Sequence, residues 1–179
     1  MSLINVWFYE PNADDNEWLN AVVNRYDPPY SHCDIQFDND KMASSVFRYE
    51  NIYWRKRQFR KPGYKKITVS VSKEAYAKAY ELCETRAREK YEFDAINMVL
   101  LPAAKWLGFE RDKKTFCSKH CTEILQTAQV RAVEGAIPGE MTPTSLYNLL
   151  ASSTVIHADS SPLAGLRIAV PSRQELGRI

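Results

Sequence analysis

Between Tyr30 and Tyr49 the chain carries two runs around Asp38-Asn39-Asp40-Lys41, the first alternating from His32 to Phe37. An alternation of period two describes a strand with two unlike faces. In the first run Cys33, Ile35 and Phe37 fall on one face, and His32, Asp34 and Gln36 on the other; the second run is Met42 to Tyr49. The residues between them tolerate left-handed geometry, so the segment predicts a β-hairpin and requires an antiparallel sheet. If Asp38 pairs with Lys41 across the turn, Asp34 faces Ser45, and both lie on His32's side of the sheet. A bulge would substitute Ser44.

The flanking segments fit the same plan. Residues 3–9 are β-branched and aromatic and predict a strand ending at Glu10-Pro11. Residues 14–25, with Trp18, Leu19, Val22 and Val23 at helical spacing, predict a short helix stopped by Asp27-Pro28-Pro29. Lys66 to Val71 alternates as a strand. Ser72 is placed to cap a helix over 73–90 with Tyr76, Ala79, Tyr80, Cys83 and Ala87 on its apolar stripe. Further helices are predicted over 94–107, broken at Pro102, over 115–131, and from Thr142-Pro143 to about Leu150. The order of elements indicates an α+β domain over residues 1–150. The Ser-rich segment 151–179 reads as a C-terminal arm.

Composition removes several classes. At 179 residues and 45% hydrophobic, the chain can bury a core and is not disordered. Its net charge of +2 is too balanced for a general polyanion binder. Four scattered cysteines at 33, 83, 117 and 121 suit neither a disulfide-stapled miniprotein nor a paired zinc site. No apolar run approaches a membrane span, and the first fifteen residues lack the features of a signal peptide. The expectation is a soluble, cytoplasmic protein with free thiols in a reducing compartment. With six glycines and no Gly-rich phosphate loop, a nucleotide fold is disfavoured, and nothing in the sequence requires a cofactor.

The residues able to do chemistry are few. A thiol nucleophile needs an imidazole within hydrogen-bond reach, and a helix N-terminus favours the thiolate. Cys117 lies in the first turn of the 115–131 helix. Cys121 is one turn later on the face of Leu125 and Ala128, as a buried residue would be. Of the three histidines, His32 comes from a strand. His120 sits about 60° around the helix from Cys117, and His157 lies in the tail. Asp34, two residues along the strand from His32, can polarise the ring. The contrasting reading makes all four cysteines small core residues.

Tyr30-Ser31-His32-Cys33-Asp34-Ile35-Gln36-Phe37, the turn at 38–41 and Met42 to Ser45 are followed much later by Phe116-Cys117-Ser118-Lys119-His120-Cys121-Thr122-Glu123-Ile124-Leu125. In order and spacing this resembles a circularly permuted NlpC-type papain-like domain, the group that includes relatives of lecithin:retinol acyltransferase and many bacterial and viral members. There the histidine strand precedes the nucleophile helix. The resemblance covers roughly residues 4–150 and implies an antiparallel sheet packed on helices and a cysteine hydrolase or acyltransferase. Such an enzyme cleaves an ester, thioester or amide bond, in a lipid acyl ester or a peptide, through an acyl-enzyme. It places the nucleophile on Cys117 and the base on His32, with a polar residue of the following strand, Ser45 or Ser44, as a further partner. Lys119 stands where the group has an acidic residue, and Cys121-Thr122-Glu123 offers a rival match.

Seven cations crowd residues 55–66: Arg55, Lys56, Arg57, Arg60, Lys61, Lys65 and Lys66, interleaved with Phe59 and Tyr64 and preceded by Trp54. The plain reading is a solvated face. The functional readings are an anionic membrane surface, held by Arg55, Lys56, Arg57, Arg60 and Lys61, or nucleic acid, the less expected partner. A non-enzymatic module binding such a partner is the alternative to the enzyme.

Overall fold

The computed structural model describes residues 1–11, 18–45, 51–59, 63–99 and 113–159. Its main sheet is built from β1 (Ser2–Tyr9), β2 (His32–Phe37), β3 (Lys41–Ser44), β4 (Tyr53–Lys56) and β5 (Tyr64–Val71). All neighbours are antiparallel, in the order β4-β3-β2-β1-β5. The helices are α1 (Trp18–Tyr26), α2 (Lys73–Arg88), α3 (Ala95–Val99), α4 (Cys117–Thr127) and α5 (Pro143–Asp159). A short parallel pair, β6 (Glu92–Phe93) and β7 (Lys114–Thr115), leads into α4. The class is α+β, with the expected hairpin in place.

The period-two pattern decides which face carries the core. Ile4, Val6 and Phe8 of β1 and Cys33, Ile35 and Phe37 of β2 are buried together. They meet Ala79 and Cys83 of α2, Cys121, Ile124 and Leu125 of α4, and Leu146 and Leu150 of α5. Each large apolar side chain removed from water there contributes about 1.5–3 kcal/mol. Ser72 caps α2 as expected, accepting from the Ala75 N–H at 3.0 Å. Glu89 follows Arg88 at the helix end, and Lys90 turns left-handed at φ 56°.

The other face of the sheet is covered as well. Trp7 Nε1 donates to Gln36 Oε1 at 2.7 Å, Gln36 Nε2 donates to the Arg57 carbonyl at 2.9 Å, and Phe59 stacks on Trp7 at 4.5 Å. The chain after β4 thus lies over this face, and Asp34 is fully buried rather than facing solvent.

Several boundaries differ from expectation. The ladder pairs Ile35 with Ala43 and Gln36 with Met42, which places Phe37 opposite Lys41 and Asp34 opposite Ser44. The pairing of Asp38 with Lys41, and of Asp34 with Ser45, is therefore corrected by one residue. The cause is a three-residue turn: Asp40 sits at φ 61° and its N–H donates to the Phe37 carbonyl. β3 ends at Ser44; residues 46–49 of the expected second strand lie outside the described residues.

The helices shift too. Trp18, placed on an apolar stripe, is 59% exposed. α4 begins at Cys117 rather than near Thr115 and stops at Thr127, because Gln129 adopts φ 57°. α5 runs past the expected end at about Leu150 to Asp159, so residues 151–159 are helical. Within α5, Ser152 Oγ donates to the Asn148 carbonyl, which satisfies a hydroxyl inside the helix. Much of the helix expected over 94–107 falls outside the described residues.

Candidate active site

The site forms where α4 meets the open end of β2. β6 and β7 pair Phe93 with Thr115, the Asp94 N–H donates to the Thr115 carbonyl at 2.8 Å, and Ser45 Oγ donates to the same carbonyl at 3.0 Å. Phe116 then N-caps α4 with no side-chain cap hydrogen bond, and Cys117 opens the helix. The first-turn N–H groups of such a helix have no carbonyl behind them. Ser118 Oγ donates to the Met141 carbonyl at 2.6 Å and pins the turn.

His32 and Cys117 are brought together. Each lies near enough to the other to shift its ionisation. His32 Nε2 lies 2.9 Å from Asp34 Oδ1 and 3.3 Å from Ser44 Oγ. A carboxylate can only accept, so Nε2 carries its proton and Nδ1 is the nitrogen left to face the thiol. His32 keeps 14% of its side chain exposed while Asp34 keeps none, so the ring is reachable and its partner is not.

Ser45, expected opposite Asp34, instead supports the strand before Cys117; its neighbour Ser44 reaches the ring. The one-residue register difference accounts for the exchange.

Electrostatics separate the candidate groups. Burial alone lowers the His32 imidazole, but the charges of Asp34 and Cys117 and hydrogen bonds to both hold it well above its ordinary range. Cys117 moves the other way. A hydrogen bond from the Cys33 thiol lowers it, burial opposes, and the charge and hydrogen bond of His32, with the Cys33 backbone N–H, bring it well below the usual thiol range. Both directions favour a thiolate–imidazolium pair.

The rival positions are occupied otherwise. Burial raises the Cys121 thiol, which packs in the core. His120 is fully buried and accepts at Nδ1 from Arg86 Nη1 at 3.0 Å, while Arg86 also pairs with Glu123 at 2.7 Å. Burial, then the Arg86 charge, keeps His120 well below the ordinary imidazole range. His120 therefore clamps α4 to α2. His157 falls in the last turns of α5.

Cys33, expected on the apolar face of β2, is fully buried in the core there. No group of three or more potential metal ligands occurs among the described residues.

The basic segment proves partly structural. Trp54 packs on Phe37 and Tyr80, Phe59 on Trp7, and Tyr64 on Trp7, Tyr9 and Phe59. The aromatic residues are thus spent on the fold. Arg57 lies over the Phe59 ring and Lys66 over the Trp7 ring, and Lys65 pairs with Glu10 at 3.0 Å. Arg55 and Lys56 are exposed; Arg60 and Lys61 lie outside the described residues. No described helix is long and apolar enough to cross a membrane. No family model matches the sequence, and no curated protein or solved structure matches it either.

Proposed function

We propose that the chain is a papain-like cysteine hydrolase or acyltransferase of the permuted NlpC type, with Cys117 as nucleophile and His32 as its base and acid. The observation that carries the reading is His32, its Nε2 2.9 Å from the fully buried Asp34 carboxylate, set near Cys117 with the thiol depressed and the imidazole raised. The order of the two motifs, histidine strand before nucleophile helix, supports the permuted arrangement.

The Cys117 thiolate attacks the carbonyl carbon of an ester, thioester or amide, forming a carbon–sulfur bond. Charge moves to the carbonyl oxygen, which the open N–H groups at the start of α4, including that of Cys117, can stabilise. Protonated His32 then gives its proton to the leaving alcohol, thiol or amine as the scissile bond breaks, leaving an acyl-Cys117 thioester. Neutral His32 next takes a proton from water or another acceptor, which attacks the thioester and releases Cys117. Asp34 holds the ring with Nδ1 toward the sulfur and offsets the imidazolium charge.

Incubation with a short-chain acyl thioester tests the reading. Turnover is expected, with an acyl adduct on the tryptic peptide Thr115–Lys119. Cys117→Ala should give neither turnover nor adduct. A folded wild-type chain that forms no adduct and turns over neither esters, thioesters nor amides would refute it.

A further inference from the structure

We infer that Arg57, with Lys66 beside it, selects a substrate whose leaving group carries an oxyanion, a carboxylate or a phosphate, held on the outer face of the sheet next to His32. The inference rests on the proposed reaction and adds to it the charge of the substrate, which the scheme of Cys117, His32 and Asp34 leaves open.

Directly opposed residues of neighbouring strands point their side chains to one face of a sheet. Tyr9 pairs with His32 on one side and Tyr64 on the other, and Trp7 pairs with Asp34 and Lys66. Tyr64, Tyr9 and His32 thus form one row across the outer face, and Lys66, Trp7 and Asp34 the next. The rings join into a layer. Tyr9 and Tyr64 have centroids 4.9 Å apart, and Phe59 stacks on Trp7 at 4.5 Å. Tyr64 meets Phe59 at 5.0 Å and Trp7 edge-on at 6.5 Å. The layer begins one strand away from the imidazole.

Arg57 lies across this layer. Its N–H donates to the Asp40 carbonyl at 3.1 Å and its carbonyl accepts from Gln36 Nε2 at 2.9 Å, which sets its backbone near the end of β2 away from His32. Its guanidinium reaches back, with Cζ 5.0 Å from the Phe59 centroid and 5.9 Å from that of Tyr64, in the row of His32. Lys66 Nζ stands 5.6 Å from the Trp7 ring, in the row of Asp34. Neither cation pairs with a carboxylate among the described residues, whereas the neighbouring Lys65 has Glu10 at 3.0 Å. Asp34, the acid of these two rows, is held by His32. Two cations therefore share one patch with no acid to neutralise them. Contact with the rings fixes their side chains in advance and reduces the freedom lost on binding. The forked N–H donors of a guanidinium fit an oxyanion.

The chemistry decides which part of the substrate lies there. α4 packs on the core face of the sheet, where Cys121, Ile124 and Leu125 meet Cys33 and Ile35. His32 and Asp34 belong to the other face, bonded to each other along the strand. In the proposed reaction the acyl group stays on the Cys117 sulfur, while the leaving group takes its proton from His32. The leaving group therefore departs on the side of the imidazole, bordered by Tyr9, Tyr64 and the two cations. An anion on it is attracted by Arg57 and Lys66, and a cation is repelled.

The test is kcat/KM for three soluble butyryl thioesters whose leaving thiols are mercaptoacetate, mercaptoethanol and thiocholine: anionic, neutral and cationic. The ratio between two esters within one protein cancels any loss of folded enzyme, and its change from wild type cancels their intrinsic reactivities. Arg57→Gln should lower the anionic-to-neutral ratio about tenfold, as the loss of a charge-assisted hydrogen bond would. Arg57→Lys, which keeps the charge, should retain part of the preference, and Arg57→Glu should turn it toward thiocholine. Lys66→Gln should give a smaller fall in the same direction. Circular dichroism checks each variant, and the exposed Lys66 carries the test should a change at Arg57 unfold the chain. Ratios equal to wild type in Arg57→Gln and Lys66→Gln, with all three esters turned over, would overturn the charge selection alone. A folded wild-type chain that turns over none of the three would remove the proposed function with it.

Discussion

Nε2 of His32 lies 2.9 Å from Oδ1 of Asp34, two residues farther along the same strand. The imidazole and the carboxylate that polarises it thus come from one run of backbone, fixed in register by β1. Asp34 sits opposite Trp7 in the β1–β2 ladder and beneath the cover formed by Trp7, Gln36 and Phe59. No side chain from a distant loop is needed to orient the ring.

Asp34→Asn should separate activity from stability. Asp34 Oδ2 is buried with no hydrogen-bond partner among the described residues, a cost the fold bears at this position. Replacing the carboxylate removes the charge that stabilises the imidazolium, so kcat should fall by about 10²–10⁴-fold. The melting temperature should hold or rise. Calorimetry beside steady-state kinetics checks this; a variant as active as the parent would remove Asp34 from the site.

Cys117 and Cys121 should respond in opposite ways. Cys117→Ala should abolish turnover with little change in melting temperature. Cys121→Ala should keep most activity and lose about 1 kcal/mol through a small cavity in the core. Denaturant unfolding and turnover of both variants decide between the two registers of the motif.

The pH profile of turnover should be a bell, with the depressed Cys117 thiol setting its acid limb and the raised His32 imidazole its alkaline limb. The folded pKa of Cys117 is depressed, so its thiolate contributes to stability above the unfolded thiol value of about 8.5 and loses that contribution as pH falls through the folded value. The folded pKa of His32 is raised, so its contribution is full below about 6.5 and is lost as pH rises through the folded value. The pair is intact between the two folded values, the depressed thiol setting the acid side and the raised imidazole the alkaline side. kcat/KM measured across pH should fall on both sides; a single rise near the ordinary thiol value would show that no ion pair forms.

Arg86→Met should mark the other histidine as structural. The guanidinium bridges His120 and Glu123, and its side chain is 13% exposed. Losing one partner of this half-buried network should destabilise the fold by about 1–3 kcal/mol while activity per folded molecule stays near that of the parent. A collapse of activity in still-folded protein would tie the α2–α4 clamp to the chemistry instead.

Much of this was legible in residue order. His32 and Asp34 share a strand face because alternation says so, and Cys117 opens a helix because Phe116 and Thr115 continue a strand. Ser72 announced α2. The register of Ser44 was not legible, since it depends on Asp40 entering the left-handed region, which an Asp-Asn-Asp turn permits but does not compel. The burial of Asp34 depends on Phe59 and the Arg57 carbonyl, contributed by a segment that its cations marked as solvated. The length of α5 was hidden by Ser and Thr residues that disfavour helices in isolation yet bond back to the preceding turn.

The central claim is that Cys117 is a thiolate in the folded chain. The direct measurement is competitive labelling of native wild-type protein by substoichiometric iodoacetamide at about pH 6, well below the ordinary thiol value, followed by tryptic mapping. Label should collect on Thr115–Lys119, ahead of the Cys33, Cys83 and Cys121 peptides, and His32→Ala should slow it. Label that appears first on His120–Arg131, or slowly and equally on all four thiols, would contradict the account.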